Sequence, residues 1–189
     1  MADPPVNLLV GLGNPLFDIQ ARVPSSFLAK WNLNINDANT ATDENRTMFD
    51  ELARDYELKY LPGGSAQNTI RVAQWMLRDE HQVAFFGAIG NDDIGRQLDE
   101  IMRVAGVIAK YQFVDKDPTG KCAVLIADEG RSFVADLGAS KSFTMTHLKT
   151  PENEAIINKA DVLFTTGYFL TVSPESFEFA ATKMHGRNK

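Results

Sequence analysis

The chain has 189 residues, 44% hydrophobic and 23% charged, with a formal net charge of −6. That composition suits one sizeable core, and no Lys/Arg run points to nucleic acid or an anionic membrane as a partner. A single cysteine, Cys122, excludes an internal disulfide and fits a reducing compartment, while the scattered His81, His147 and His185 give no metal-ligand spacing.

In chain order, the N-terminal MADPPVN stretch shows neither a signal peptide nor a membrane span, so the expected compartment is the cytoplasm or, as a second option, the nucleus. Asn7–Gly13 (NLLVGLG) reads as a buried strand running into a tight turn. Ser26–Trp31 and Thr47–Tyr56 have helical spacing, separated by a polar stretch. Gly63-Gly64 then precede a helix with Ile70, Ala73 and Leu77 on one face. Gln82–Ile89 is a second buried strand, Gly90–Gly95 a turn, and Ile94–Ala105 an amphipathic helix. This alternation predicts a parallel sheet with crossover helices.

The alternation then breaks. Thr119–Ala127 and Ser132–Leu137 flank DEGR and predict an antiparallel hairpin, an excursion such as a lid. Asp161–Thr166 reads as a third buried strand. Ser173-Pro174-Glu175 is a helix start, with Ser as N-cap and Pro in the first turn, and Glu175–Met184 is the helix. A crossover helix normally leads to another parallel strand. The expectation is therefore a sheet interrupted partway.

Two glycine patterns have plain explanations. Gly11-Leu12-Gly13 lacks the third glycine of a dinucleotide fingerprint, because position 16 is Leu. Gly90–Gly95 lacks the Lys and Ser/Thr of a phosphate loop and carries two aspartates, so it reads as a strand-to-helix turn. Gly63-Gly64-Ser65 is more informative. A helix N-terminus offers unpaired N–H groups, and glycines allow close approach of a hydroxyl-rich or anionic ligand. Asn14 and Asp18 follow the first strand, where open α/β sheets bind ligands. A carboxylate there can accept hydrogen bonds from two vicinal hydroxyls.

Taken together, Gly11–Asp18, Gly63–Asn68 with Val72–Met76, Phe85–Gly90, Pro118-Thr119-Gly120 and Phe169–Ser176 resemble, collinearly, the ribokinase-like (PfkB) sugar kinases and within them the adenosine-kinase branch. The resemblance implies a three-layer α/β/α fold with a small β lid drawn from parts of about 15–50 and 110–140. It implies phosphoryl transfer from ATP, with Mg2+, to the 5′-hydroxyl of adenosine in purine salvage. It implies a monomeric complete enzyme. Asp18 and Asn68 would hold the ribose hydroxyls, with Asn14 and Leu16 nearby and Gly63-Gly64 pressed against the sugar. Ser65 would sit near the base. Cys122, Phe133, Ala135 and Leu137 would form apolar walls, Phe169 would stack on adenine, and Arg131 would meet the transferring phosphate. The alternatives are plain packing for Ala135 and Leu137, a solvated turn for Arg131, and an inert buried thiol for Cys122.

Two departures stand out. Asn39-Thr40-Ala41 replaces an aliphatic pair and Ala, which puts a hydroxyl on the base wall if Thr40 lines it. No Gly-Ala-Gly-Asp segment occurs, so the general-base Asp is expected beyond Lys189, and these 189 residues alone are expected to be inactive and aggregation-prone. Two rival readings are a kinase of another nucleoside or sugar, and a non-catalytic nucleoside-binding remnant.

Overall fold

The computed structural model describes residues 8–78 and 82–186; Asn7 and the N-terminal stretch, His81 and residues 187–189 lie outside it. The strand β1 (Leu8–Leu12) pairs in parallel with β5 (Val83–Gly90) and β9 (Ala160–Thr165), and β6 (Ile108–Val114) extends the sheet beside β5. The order is β6-β5-β1-β9, all parallel.

Helices cover both faces, as a parallel sheet requires. Helices α3 (Ser65–Leu77) and α4 (Asp93–Val104) pack on one side with Ile70, Phe85, Ile89 and Leu98. On the other side, Val10, Leu12, Phe86 and Phe143 meet α5 (Met145–Leu148), α6 (Pro151–Lys159) and α8 (Pro174–His185). Gly11 and Gly13 serve this packing: a Cβ on Gly11 would strike Ile70, and one on Gly13 would strike Ala66.

A second sheet has the order β3-β8-β7-β2-β4. Its strands are β2 (Leu16–Arg22), β3 (Ala38–Thr40), β4 (Leu58–Gly63), β7 (Lys121–Ala127) and β8 (Gly130–Asp136). The β7–β8 hairpin is the one expected, with its turn at Asp128-Glu129. One face is covered by α1 (Ser25–Lys30) and α2 (Met48–Asp55) through Phe27, Leu28, Met48 and Leu52, packed on Ala21, Ala123, Leu125 and Val134.

Three expectations need correction. The second sheet also takes Leu58–Gly63, and Ile108–Val114 belongs to the large sheet, because Tyr111 and Val114 bury into its two cores. The strand β9 is not buried throughout: it lies at the sheet edge with Val162 54% exposed. The Ser173 hydroxyl does not cap α8; it hydrogen-bonds the Glu175 carboxylate and the Ser176 hydroxyl, while Pro174 does open the helix. An apolar patch of Val72, Trp75, Met76 and Val104 lies open on α3 and α4.

Asp92 fastens the two sheets together. Its carboxylate accepts from the Gly95 N–H, capping α4, and from the N–H and hydroxyl of Thr119, just before β7. Burial acts to raise its pKa, but these hydrogen bonds and Arg96 outweigh burial and hold it below the ordinary 3.8. Asp92→Ala should therefore cost at least about 2 kcal/mol in urea unfolding. The loss should be complete above pH 4 and should vanish as pH falls through the lowered pKa of the folded state. An unchanged urea midpoint at pH 7 would mean the latch is dispensable.

Candidate active site

The site forms where the chain crosses between the sheets. After β1, Asn14 and Pro15 lead directly into β2; later β4 ends at Gly63, and Gly64 opens α3. These crossings touch. Gly63 pairs with Leu16, and Gly64, at φ +89, lies against the Asn14 carbonyl so closely that a Cβ would collide with it. A Cβ on Gly63 would likewise collide with the Asp18 carboxylate. The left-handed backbone of Gly64 and both close approaches require glycine.

Asp18 was expected beyond a strand; it lies within β2, next to Leu61 on β4 and Cys122 on β7. Cross-strand partners share a face. Leu61, Asp18, Cys122, Ala135 and Thr40 therefore form one row on the face of the second sheet opposite α1 and α2. The next row holds Lys59, Gln20, Val124, Phe133 and Ala38, and the third holds Arg22, Ile126 and Arg131. At about 3.3 Å per residue, Phe133 and Arg131 stand roughly 7 and 13 Å along the sheet from the Asp18 row.

Leu16, Cys122 and Val124 bury together, with Ala135 and Leu137 packed on them. Val124 escaped the sequence reading; its β7 alternation with Cys122 was the available signal. Thr40 adds a hydroxyl at the β3 end of the Asp18 row, beside Ala135.

The electrostatics mark Asp18. Burial pushes its pKa up to about 6, and no cation pairs with it among the described residues. Burial, and secondarily the Asp18 charge, pushes the neighbouring Cys122 thiol up to about 12, which makes it an inert wall. Asn14 is buried; its Nδ2 donates to the Tyr168 carbonyl at 3.3 Å, while Oδ1 has no partner. Ser65 and Asn68 lie in the first turn of α3, where no side chain caps the helix. The junction thus gathers a desolvated carboxylate, an unpartnered amide oxygen and uncapped helix N–H groups beside an apolar wall. It can take a ligand with hydroxyls at one end and a flat apolar ring at the other.

Phe169 is a correction. It sits in α7 (Gly167–Leu170) and is fully buried, edge-on to Phe143 at 5.5 Å, so it has no free ring face. The exposed ring at this strand end belongs to Tyr168, 65% accessible, one residue earlier. Among the described residues, no three His, Cys, Asp or Glu side chains converge as a metal site, and no helix is long and apolar enough to cross a membrane.

The pfkB family carbohydrate kinase profile matches residues 26–189, and the chain belongs to that family. Its two-sheet α/β architecture is the ribokinase-like fold of that family. Within the family it is similar to adenosine kinases. It is 39% identical over 182 residues to adenosine kinase 2 of Arabidopsis thaliana, covering 96% of this chain and 53% of that protein. It is 42% identical over 164 residues to the adenosine kinase of Dictyostelium discoideum, covering 87% and 48%. Anopheles gambiae adenosine kinase, solved in complex with P1,P4-di(adenosine-5) tetraphosphate, superposes with a TM-score of 0.93 at 40% identity, covering 96% of this chain and 56% of that one. The chain spans about half the length of the relatives it matches.

The Asp18 environment gives a stability signature. Its folded pKa exceeds the unfolded value of 3.8, so the unfolded chain releases the proton first. Stability should fall as pH rises from about 4 through about 6. Asp18→Asn should remove that fall and melt higher than the wild type at pH 7.5. A variant that melts lower at pH 7.5 would show that Asp18 is stabilised by groups other than those described.

Proposed function

We propose that these residues form the nucleoside-binding half of an adenosine kinase, which transfers the γ-phosphoryl group of ATP, carried with Mg2+, to the adenosine 5′-hydroxyl in purine salvage. The observation that carries the reading is the unpaired Asp18 carboxylate against Gly63, in one row with the apolar wall. The similarity to adenosine kinases supports it independently.

In this reading the ionised Asp18 accepts hydrogen bonds from the ribose 2′- and 3′-hydroxyls. Asn14 Oδ1 supplies a further acceptor, and Asn68 faces the sugar from α3. Gly63 and Gly64 admit the ring to the backbone. Leu16, Cys122, Val124, Ala135 and Leu137 pack on one side of the base, with Phe133 at the rim. Tyr168 replaces Phe169 as the aromatic cap, and Ser65 lies near the base. The second sheet then acts as the lid. Arg131, at its outer turn, is placed to reach the phosphate by lid closure, where a guanidinium stabilises developing charge. ATP–Mg2+ is the donor substrate, and Arg131 is the one described residue assigned a contact with it.

Binding and orientation are therefore assigned here, and proton removal from the 5′-hydroxyl is not. No second unpaired carboxylate stands at the junction among the described residues; Asp92 is committed to Gly95 and Thr119. The proposed setting is cytoplasmic, with a monomeric complete enzyme.

Two outcomes follow. In the full product of the gene, Asp18→Ala removes two charge-assisted hydrogen bonds, each worth about 1.5–3 kcal/mol. Its kcat/KM for adenosine should drop at least about a hundredfold. The wild type should discriminate strongly against 2′-deoxyadenosine; equal use of both nucleosides would sink the role given to Asp18. The polypeptide of residues 1–189 alone should form no measurable AMP, because general-base and phosphate-stabilising groups each supply about two orders of magnitude or more. AMP formation by that polypeptide would place the missing chemistry within it.

A further inference from the structure

Behind the two glycines lies a buried polar relay that the nucleoside contacts do not use. Gln67, in the first turn of α3, is completely buried. Its Nε2 donates to the Gly63 carbonyl at 2.9 Å. The Tyr111 hydroxyl, reaching from β6, donates to Gln67 Oε1. Tyr111 is itself buried and edge-on to Phe85 at 5.9 Å. The polarity of this relay is fixed. The Gly63 carbonyl can only accept, so Gln67 must turn its NH2 toward it and its oxygen toward Tyr111, which must then donate. Burial, helped by the Asp99 charge, holds the phenol well above its ordinary pKa of 10, so the donor proton stays in place across physiological pH.

A peptide unit is planar and trans, so fixing the Gly63 carbonyl also fixes the direction of the Gly64 N–H. At Gly64 the chain turns through φ +89, a region in which a glycine pair would otherwise have wide freedom. The same carbonyl belongs to the residue whose α-carbon meets the Asp18 carboxylate.

We propose that Gln67 and Tyr111 are positioning residues for the sugar-binding turn: the Tyr111–Gln67–Gly63 relay sets the plane of the Gly63–Gly64 peptide and, through Gly63, the seat of Asp18. Neither side chain touches the nucleoside. The relay also ties an outer strand of the large sheet to the last residue of β4, so the turn takes its alignment from the rigid sheet. The proposal rests on the ribose assignment made above, and its test separates the two.

The test uses the full product of the gene with Tyr111→Phe, Gln67→Met and the double variant. Tyr111→Phe removes one oxygen from an otherwise unchanged ring. Its kcat/KM for adenosine should fall about tenfold, while that for 2′-deoxyadenosine, which keeps one of the two hydroxyls seated on Asp18, should fall no more than about threefold. The double variant should lose no more than Gln67→Met alone, because both act through one carbonyl. Equal losses for the two nucleosides, additive losses in the double variant, or no loss would each overturn the proposal. Hydrogen exchange tests the relay without catalysis. Amides 63–68 should exchange at least about tenfold faster in Tyr111→Phe, with amides 48–55 unchanged. If the wild type phosphorylates no nucleoside, the kinase reading fails, and unchanged exchange at 63–68 still overturns the relay. If Tyr111→Phe fails to fold, Gln67→Met carries the same exchange and nucleoside comparisons.

Discussion

The two sheets are joined by chain crossings packed against one another, and that packing constrains everything else. Asn14–Leu16 leaves the large sheet and Gly63–Ser65 returns to it. The segment before β7 and the segment after β8 lie alongside: the Phe17 N–H donates to the Gly120 carbonyl, and the Ala139 N–H to the Pro118 carbonyl. Backbone runs against backbone here. Glycines 63, 64, 120 and 138 occupy the places where a side chain would collide with Asp18 or with a neighbouring connecting segment. Only at such a bundle is the backbone released from ladder pairing while the surroundings stay rigid. Polar groups can be presented there without giving up the core on either side.

The second sheet shows what that presentation costs. One face is closed by aliphatic and aromatic packing under α1 and α2. The opposite face carries the Leu16–Cys122–Val124 cluster with a desolvated carboxylate in its midst. A half-buried Asp without a cation, and a buried Asn oxygen without a donor, are states that folding alone disfavours. They persist because the crossings hold them, and Asp92 holds the crossings. Stability gained at Asp92 offsets part of what is forgone at Asp18. The two aspartates illustrate how hydrogen bonding and desolvation push the same functional group in opposite directions.

The sequence made the buried strands legible and obscured the half-buried ones, for a physical reason. β1 and β5 are covered on both faces and read as unbroken apolar runs. β2 (LFDIQAR) and β4 (LKYLPG) mix polar residues into the open face, and Pro62 in β4 argues against a strand until the pairing is known. β6 (IAKYQFV) lies at a sheet edge, and its one chemically telling residue, Tyr111, looks like any core aromatic. At the site, the glycine pair and Asp18 stood out, because few residue types fit those roles. Which of the adjacent aromatics Tyr168 and Phe169 faces outward depends on the single turn of α7, which spacing does not encode. Gln67 stood out in the sequence only as one of three polar residues at the helix entrance, and nothing there separated its buried role from those of Ser65 and Asn68.

Helix α3 draws these threads together. Its inner face, through Ile70 and Ala66, fits Gly11 of β1 and Gly13 just after it, so its distance from the sheet is set by contacts that admit no Cβ. Its first turn carries Ser65, Gln67 and Asn68, and its outer face carries Val72, Trp75 and Met76 in the open. One rigid element thus fixes the Gly63–Gly64 turn and presents an apolar surface at its far end. A helix seated this tightly transmits displacement rather than absorbing it. Under the proposed reading, material packed against Val72 and Trp75 would bear on the position of Gly64 through a helix of 13 residues. In that reading, precision at the nucleoside is a property of how α3 is clamped, with Gly11 and Gly13 on one side and the Tyr111–Gln67 relay at its start. The residues assigned to the ligand in that reading depend on the clamp for their geometry.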